Sequence, residues 1–436
     1  MDITRLVDSE KGLVDRRIFA DPYLYELELE RVFGRSWLFV GHESQIAKQN
    51  DFAANYMAED PVLITRDAKG NIHTFLNMCR HRGNRICRAD QGNAPSFMCT
   101  YHGWTFSTDG KLVGVPGFKE AYFEELDRSK WGLVEARTTS YKGLIFATWD
   151  SQSPSLIDYL GDAAWYVDLI VDRREGGTEL IGGVHKWVMD FNWKMGADNF
   201  IGDGYHTRIT HASMGMAGIN RGVTQNVSYA GGDRVTVSPG NGHGIIGGHI
   251  GDAASDQSTE RSRFTNAVQE YAAIHRAEIG KRLGPARENQ GNMGIGTLFP
   301  NFTWHNSPMI RVWHPRGPLK TEVWSYCIVD KLAPEEIKQD MRHAYEARFG
   351  PAGNMEVDDA NNWAHASASG KYKAGQPFPM NLQMSLGHES YSEIIPGKLG
   401  PSVSETNQRT LYARWQEMIA AESWNQISIS PRTRQF

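Results

Sequence analysis

The chain has 436 residues, enough for two or three domains with sizeable cores. Its 46 lysines and arginines against 51 aspartates and glutamates give a net charge of −5, which excludes the basic signature of a nucleic-acid or anionic-membrane partner. No apolar run approaches the roughly eighteen residues of a membrane span, and Met1 to Asp8 has neither a basic nor an apolar leader, so a cytoplasmic protein with reduced cysteines is expected.

Asp21-Pro22 predicts a helix start, with aspartate as cap, proline in the first turn and Tyr25, Leu29, Val32 and Phe33 on the apolar face. From Trp37 to about Asp150 the period shortens. Val62–Thr65, Ile72–Leu76, Trp104–Phe106, Lys111–Val113 and Leu144–Trp149 read as short strands, with Asp67–Asn71 and Thr108–Gly110 as turns. Within this all-β block Cys79-Arg-His81 is followed, after seventeen residues, by Cys99-Thr-Tyr-His102. Two thiolates and two imidazoles split evenly between two loops suit a Rieske [2Fe–2S] cluster, cysteines on one iron and histidines on the other. Zinc is the alternative, although zinc ligands more often pair as Cys with Cys or His with His.

The remainder reads as α+β. Asp203, His206 and His211 lie close together, and two histidines plus a distant carboxylate would form the facial triad of a mononuclear non-haem Fe(II). Five residues apart on a helix, the imidazoles would diverge by about 140°, so the helix must loosen or end between them. Pro239–Gly251 is glycine-rich but lacks the strand-to-helix setting of a phosphate loop, and is expected to be a flexible segment near a pocket. Ile310–Trp313 and Val323–Val329 read as strands. Pro334-Glu-Glu opens a helix with Ile337, Met341, Ala344 and Tyr345 inward. Asp358 and Asp359 either cap the segment Ala360–Trp363 or supply the missing carboxylate, and the residues alone do not choose between them. Ser404 is expected to cap a last helix with Leu411, Trp415, Met418 and Ile419 on its inner side.

Cys-x-His-x17-Cys-x2-His, then Asp-x2-His-x4-His, then a late Asp-Asp resembles the catalytic α subunit of the Rieske non-haem iron aromatic-ring-hydroxylating dioxygenases. Leu27–Leu38, Arg174–Glu179, Trp313–Pro318 and Phe349–Gly353 resemble the toluene/biphenyl/phenylpropionate branch, and the likeness extends over almost the whole chain. It implies a Rieske domain at 38–156 inserted in an antiparallel-sheet-plus-helices catalytic domain formed by 1–37 and 157–436.

The resemblance further implies that Cys79 and Cys99 hold one cluster iron and His81 and His102 the other, and that His206, His211 and Asp359 hold the mononuclear Fe(II). Asp203 would bridge to a cluster histidine, His102, of a neighbouring subunit, and Asn199 would sit near the iron. Phe200, Phe349 and Met355 would line the substrate pocket. The implied reaction is cis-dihydroxylation of an aromatic hydrocarbon or heteroaromatic ring by O2. Electrons would come from a ferredoxin and its reductase, with NAD(P)H as the ultimate donor, and a small β subunit would complete an α3β3 assembly. Monooxygenation, or angular dioxygenation of dibenzofuran-type substrates, is the alternative within the same family. The stretch from His211 to Pro300, which shapes the pocket entrance, reads as shorter than in several relatives.

Overall fold

The computed structural model describes residues 2–216, 234–250, 264–288, 290 and 294–433. Part of the stretch from His211 to Pro300, including 217–233 and 251–263, lies outside the described residues, and so does the expectation that it is short. The chain divides into two compact units, Phe33–Ser153 and a discontinuous unit of Met1–Val32 with Pro154–Phe436. Among the described residues no helix is long and apolar enough to cross a membrane.

The small unit is built on antiparallel strands. Seven form one sheet in the order Leu38–His42, Leu144–Thr148, Glu135–Tyr141, Ile72–Leu76, Asp60–Arg66, Asp51–Met57, Gln91–Asn93. Three more, Leu112–Gly114, Thr105–Ser107 and Ser96–Met98, form a second sheet. β-Branched and aromatic runs make the strands, and turn chemistry joins them. At Asp67–Asn71 the Asp67 carboxylate accepts from the Lys69 and Asn71 amides, at 2.8 Å each, and closes the turn. Phe52, Leu63, Phe75, Phe97, Trp104, Phe106 and Leu112 form a core that also takes in Cys79 and Cys99.

The larger unit carries a nine-stranded antiparallel sheet, running from Thr178–Met189 through Thr321–Asp330, Met309–Pro315, Phe302–His305, Ile295–Leu298, His243–His249, Arg234–Gly240 and Lys398–Pro401 to Ser390–Tyr391. Helix α1 (Trp193–Gly202) packs on this sheet. Asn192 caps it, accepting from the Lys194 amide at 3.0 Å. Gly196 allows the close approach: a Cβ there would lie 2.6 Å from the Trp313 indole. The helices α2 (Glu335–Phe349), α3 (Glu356–Ala368) and α4 (Thr406–Ala420) complete the frame. Apolar faces fall where the 3.6-residue period puts them, with Ile337, Met341 and Tyr345 buried on α2 and Leu411, Trp415, Met418 and Ile419 on α4.

The N-terminal segment belongs to this unit. Its helix Pro22–Leu27 is capped by Asp21 and continues as a wider turn through Phe33. Glu28 on that turn is buried against the Lys194 ammonium and accepts from the Trp193 and Trp415 indoles at 2.8 Å each.

Three expectations are corrected. The glycine-rich stretch is an antiparallel hairpin with two register shifts rather than a structureless segment. Asn241 and Gly242 take positive φ (54° and 82°) and form the tight turn between Arg234–Gly240 and His243–His249, while Gly251 lies outside the described residues. Ser404 does not cap α4. Its hydroxyl pairs with Thr236 at 2.8 Å and Glu405 occupies the cap position. Asp358 and Asp359 do not precede a helix at Ala360, because α3 already begins at Glu356 and holds both in its first turn, where carboxylates complement the helix dipole.

Candidate metal centres

In the small unit Cys79–Asn84 and Cys99–Trp104 fold as the same loop twice. In each, the cysteine carbonyl accepts from the amide four residues on, Gly83 or Gly103, at 2.9 Å. In each, the cysteine amide donates to the carbonyl five residues on, Asn84 or Trp104, at 2.8 Å. The two glycines take φ of 77° and 75°, which L side chains rarely adopt. Both cysteines are 2% exposed and their thiols hydrogen-bond to each other. Burial drives the Cys79 thiol up. Cys99 is held below its usual value in spite of burial, by hydrogen bonds from the Tyr101 amide and Asn84.

His81 and His102 are half-buried, their rings edge to face with centroids 4.6 Å apart. His81 stacks on Trp104 at 5.0 Å, and its buried Nδ1 has no hydrogen-bond partner. Two inward sulfurs sharing a proton and an orphaned, buried imidazole nitrogen on a half-exposed histidine fit the donor set of a two-iron cluster. Three ligand atoms close enough to share a single ion occur, among the described residues, only elsewhere, at His206, His211 and Asp359.

That second set is assembled from two elements. Helix α1 ends at Gly202, ahead of both histidines. Asp203 Oδ1 then accepts from the amides of Tyr205 (2.9 Å) and His206 (3.2 Å), and a single turn, Thr207–Thr210, places His206 and His211 at its two ends. Asp359 comes from the first turn of α3 and is 5% exposed. Its Oδ1 lies 3.5 Å from Nε2 of both histidines, and the three ligand atoms fall within 4.8 Å of one another. This selects Asp359 over Asp358.

Asp358 has another place. Its Oδ2 lies 3.5 Å from His211 Nδ1 and accepts from the Ser213 hydroxyl at 3.1 Å. Asp203 Oδ2 stands in the same relation to His206 Nδ1, at 3.3 Å. Each histidine thus turns Nε2 toward the shared carboxylate and Nδ1 toward a carboxylate of its own, although at 3.5 Å His211 Nδ1 stops short of a hydrogen bond to Asp358. His206, His211 and Asp359 would hold an Fe(II) through two nitrogens and one oxygen, a donor set suited to O2 activation. Asn199 Nδ2 sits 3.4 Å from His206 Nε2, beside the trio and not within it.

The charges are strongly coupled. Burial works against protonated His206, but the hydrogen bond and charge of Asp203, with the charge of Asp359, pull it up to about 9. Burial and the charge of His206 push His211 down to about 4. Burial drives Asp359 up to about 7. Asp203 stays below the usual carboxylate range in spite of burial, through its hydrogen bond with His206. A divalent cation relieves this crowding by replacing the proton that the metal-free trio must hold.

Phe200, next to Asn199, and Phe349, the last residue of α2, meet with ring centroids 6.1 Å apart. Trp313 and His305 extend the aromatic group, at 5.5 Å from Phe200 and 4.4 Å from Phe349. Met355 is half-buried at the N-cap of α3. Sequence reasoning missed His305, Arg311, Glu356 and the role of Asp358. Arg311 carried one signal: it is two residues from Trp313 on a strand, hence on the same face.

Residues 158–421 match the family of ring hydroxylating alpha subunits (catalytic domain), and residues 36–134 match the Rieske [2Fe-2S] domain. The chain is 43% identical over 435 residues to biphenyl 2,3-dioxygenase subunit alpha of Rhodococcus jostii (strain RHA1), covering 97% of this chain and 92% of that one. It is 39% identical over 436 residues to benzene 1,2-dioxygenase subunit alpha of Pseudomonas putida, covering 98% and 95%. The solved structure of naphthalene 1,2-dioxygenase with indole bound in the active site shares the fold at a TM-score of 0.89 and 33% identity, covering 98% of this chain and 96% of that one. A quaternary ammonium Rieske monooxygenase, 16% identical with a TM-score of 0.67, shares the fold alone. Likeness of this extent reaches both metal-binding units at once, and the chain belongs to the ring-hydroxylating dioxygenase family, as a catalytic α subunit with a Rieske [2Fe–2S] cluster and a mononuclear iron.

Proposed function

We propose that the protein cis-dihydroxylates an apolar arene of the benzene-to-biphenyl class, taking electrons singly from a ferredoxin that a reductase recharges from NAD(P)H. When bound, the cluster supplies single electrons and the mononuclear iron activates O2. The observation that carries the substrate class is the buried aromatic cluster of Phe200, Phe349, Trp313 and His305, beside a cation that is already neutralised; in this reading it forms one wall of the substrate pocket. Arg311 faces those rings, but its guanidinium is paired with Glu356 at 2.7 Å, so it is not free for a substrate carboxylate. Such a wall holds an arene by burial and ring contact. Met355 is the adjoining candidate from the start of α3.

Asp203 suits the bridging role between subunits. Its Oδ1 is occupied by two amides and its Oδ2 faces His206, leaving lone-pair capacity for an imidazole from a neighbour, His102 in this reading. Half-buried His81 and His102 then face the ferredoxin or the neighbour more readily than the buried sulfurs do. The relatives are named as α subunits, which supports a β partner; a small β subunit in an α3β3 assembly is the arrangement we propose.

The test is a single turnover of prereduced protein under 18O2 with mono-, bi- and tricyclic arenes. Two labelled atoms in one dihydrodiol are expected, with the highest yield from one- and two-ring hydrocarbons. One labelled atom would move the assignment to monooxygenation, and turnover of arylcarboxylates alone would overturn the apolar reading.

A further inference from the structure

Both the iron site and the aromatic wall depend on one connection. Residues 350–355 join α2 to α3, so they link the Phe349 ring to the helix that carries Asp359. A single side chain from a third element holds both ends of this connection. Arg311, on the strand Met309–Pro315, is wholly buried. Its Nη1 donates to Glu356 Oε2 at 2.7 Å and its Nη2 to the Phe349 carbonyl at 3.0 Å. That carbonyl is among those a helix C-terminus leaves without an intrahelical partner. Glu356, 2% exposed, begins α3 and lies about one turn before Asp359. The guanidinium is enclosed by the rings of Trp313, Trp187, Phe200 and Phe349, at 5.0, 5.1, 5.4 and 5.8 Å. Only a planar fork of donors meets a carbonyl and a carboxylate together within such a shell, whereas an ammonium is a point charge.

We infer that Arg311 is a positioning residue for oxygenation: by fixing the span between Phe349 and Glu356, it sets where Asp359 meets the iron and how the Phe349 ring faces the substrate. The first effect rests on the metal trio alone, and the second rests on the pocket reading proposed above. Arg311 acts through these two partners, which makes its role one of geometry rather than charge supply.

The test is Arg311→Lys in the intact oxygenase. Lysine keeps a cation opposite Glu356 but cannot reproduce the fork. The expected results are about tenfold faster loss of mononuclear iron to a ferrous chelator, with cluster absorbance unchanged. The ratio of regioisomeric dihydrodiols from a substituted biphenyl shifts by about threefold. The double variant Arg311→Met/Glu356→Met removes the pair while keeping the volume filled, and serves if lysine prevents folding. The same two shifts are expected of it.

Parental iron retention and product ratio in a folded Arg311→Lys protein would show that Arg311 only neutralises Glu356, and would overturn the inference. Phe349→Val runs alongside. A product shift in Phe349→Val without one in Arg311→Lys overturns the regiochemical half and leaves the pocket reading standing. Faster iron loss in Arg311→Lys, with no product shift in either variant, supports the hold on Asp359 and overturns the pocket reading.

Discussion

The two metal-binding regions solve opposite problems with overlapping ligand types. The cluster site uses one loop design twice, each closed by the same pair of backbone hydrogen bonds, and sinks its sulfurs into an apolar core. The iron site takes two ligands from a broken helix and one from a helix about 150 residues on, and surrounds them with further carboxylates at Asp203 and Asp358. A cluster that only stores an electron benefits from a rigid frame that barely reorganises. An iron that must admit O2 and substrate needs an open side, and its ligands are therefore held from behind, through their second ring nitrogens.

The sharpest test of this contrast removes one ligand from each region. Asp359→Ala is expected to abolish turnover and mononuclear iron while keeping the cluster's colour, and Cys99→Ser to do the reverse for colour. Metal analysis and visible absorbance check both, and loss of both metals from either variant would deny the independence of the sites. Asp203→Ala should keep the cluster and, with iron supplied in excess of its weakened affinity, the mononuclear iron, yet stop ferredoxin-driven turnover, so near-parental activity would remove the bridging role.

Smaller effects come from the supporting carboxylates. Asp358→Asn should weaken iron binding by about 10–100-fold without touching the cluster, measured by competition with a chelator. Because His206 in the metal-free trio is pulled up to about 9, iron must displace its proton. Apparent affinity should therefore fall by up to about tenfold per pH unit on acidification below that value. An affinity independent of pH between 6 and 8 would contradict this charge assignment.

Acid also separates the units through their stability. His243, in the larger unit, is fully buried as the neutral tautomer. Its Nε2 donates to the Tyr159 carbonyl and its Nδ1 accepts from the Phe299 amide, each at 2.9 Å, and burial holds its pKa down to about 4. The unfolded chain binds the extra proton first, so this unit should lose stability as pH falls from about 6.5 to about 4, by on the order of 3 kcal/mol. His73, in the small unit, has the opposite sign. Burial opposes its charge, but hydrogen bonds with Glu135 (2.6 Å) and Asp67 (3.2 Å) raise its pKa. Its contribution is full below about 6.5 and is lost as pH rises through the raised value. Separate denaturation of the units followed against pH, with His243→Gln and His73→Gln as controls, would show parallel slopes if this contrast is wrong.

The smallest effect discriminates between the twin loops. Gly83→Ala should cost about 1–2 kcal/mol for its left-handed backbone alone. Gly103→Ala should cost more, because its Cβ would also meet Pro116 Cγ at 2.8 Å, whereas nothing lies within 4 Å at Gly83. Thermal denaturation of the two variants gives the order.

Legibility in the sequence followed locality. The cluster ligands were readable because each pair sits within one short loop, and the strands around them because β-branched runs and turn residues alternate there. His206 and His211 could be paired by spacing, but Asp359 could be chosen over Asp358 only by family likeness, since a one-residue shift on a helix turns a side chain by about 100° and tertiary packing decides which one faces inward. Arg311 and Glu356 stayed hidden because a buried ion pair leaves no periodic trace. The Asn241-Gly242 turn was legible and was overlooked among the neighbouring glycines, although that dipeptide is itself the hairpin signal.

Glu28 gives the order of synthesis a consequence. Trp415, one of its buried partners, emerges 387 residues later, and Lys194 166 residues later. At about 5–20 residues per second a ribosome leaves Glu28 waiting roughly 20–80 seconds for Trp415. The small unit is complete as a continuous stretch well before then. Glu28 is thus among the last side chains to settle, and a chain truncated ahead of Trp415 would leave it with Lys194 and the Trp193 indole but without the second indole that its carboxylate accepts from.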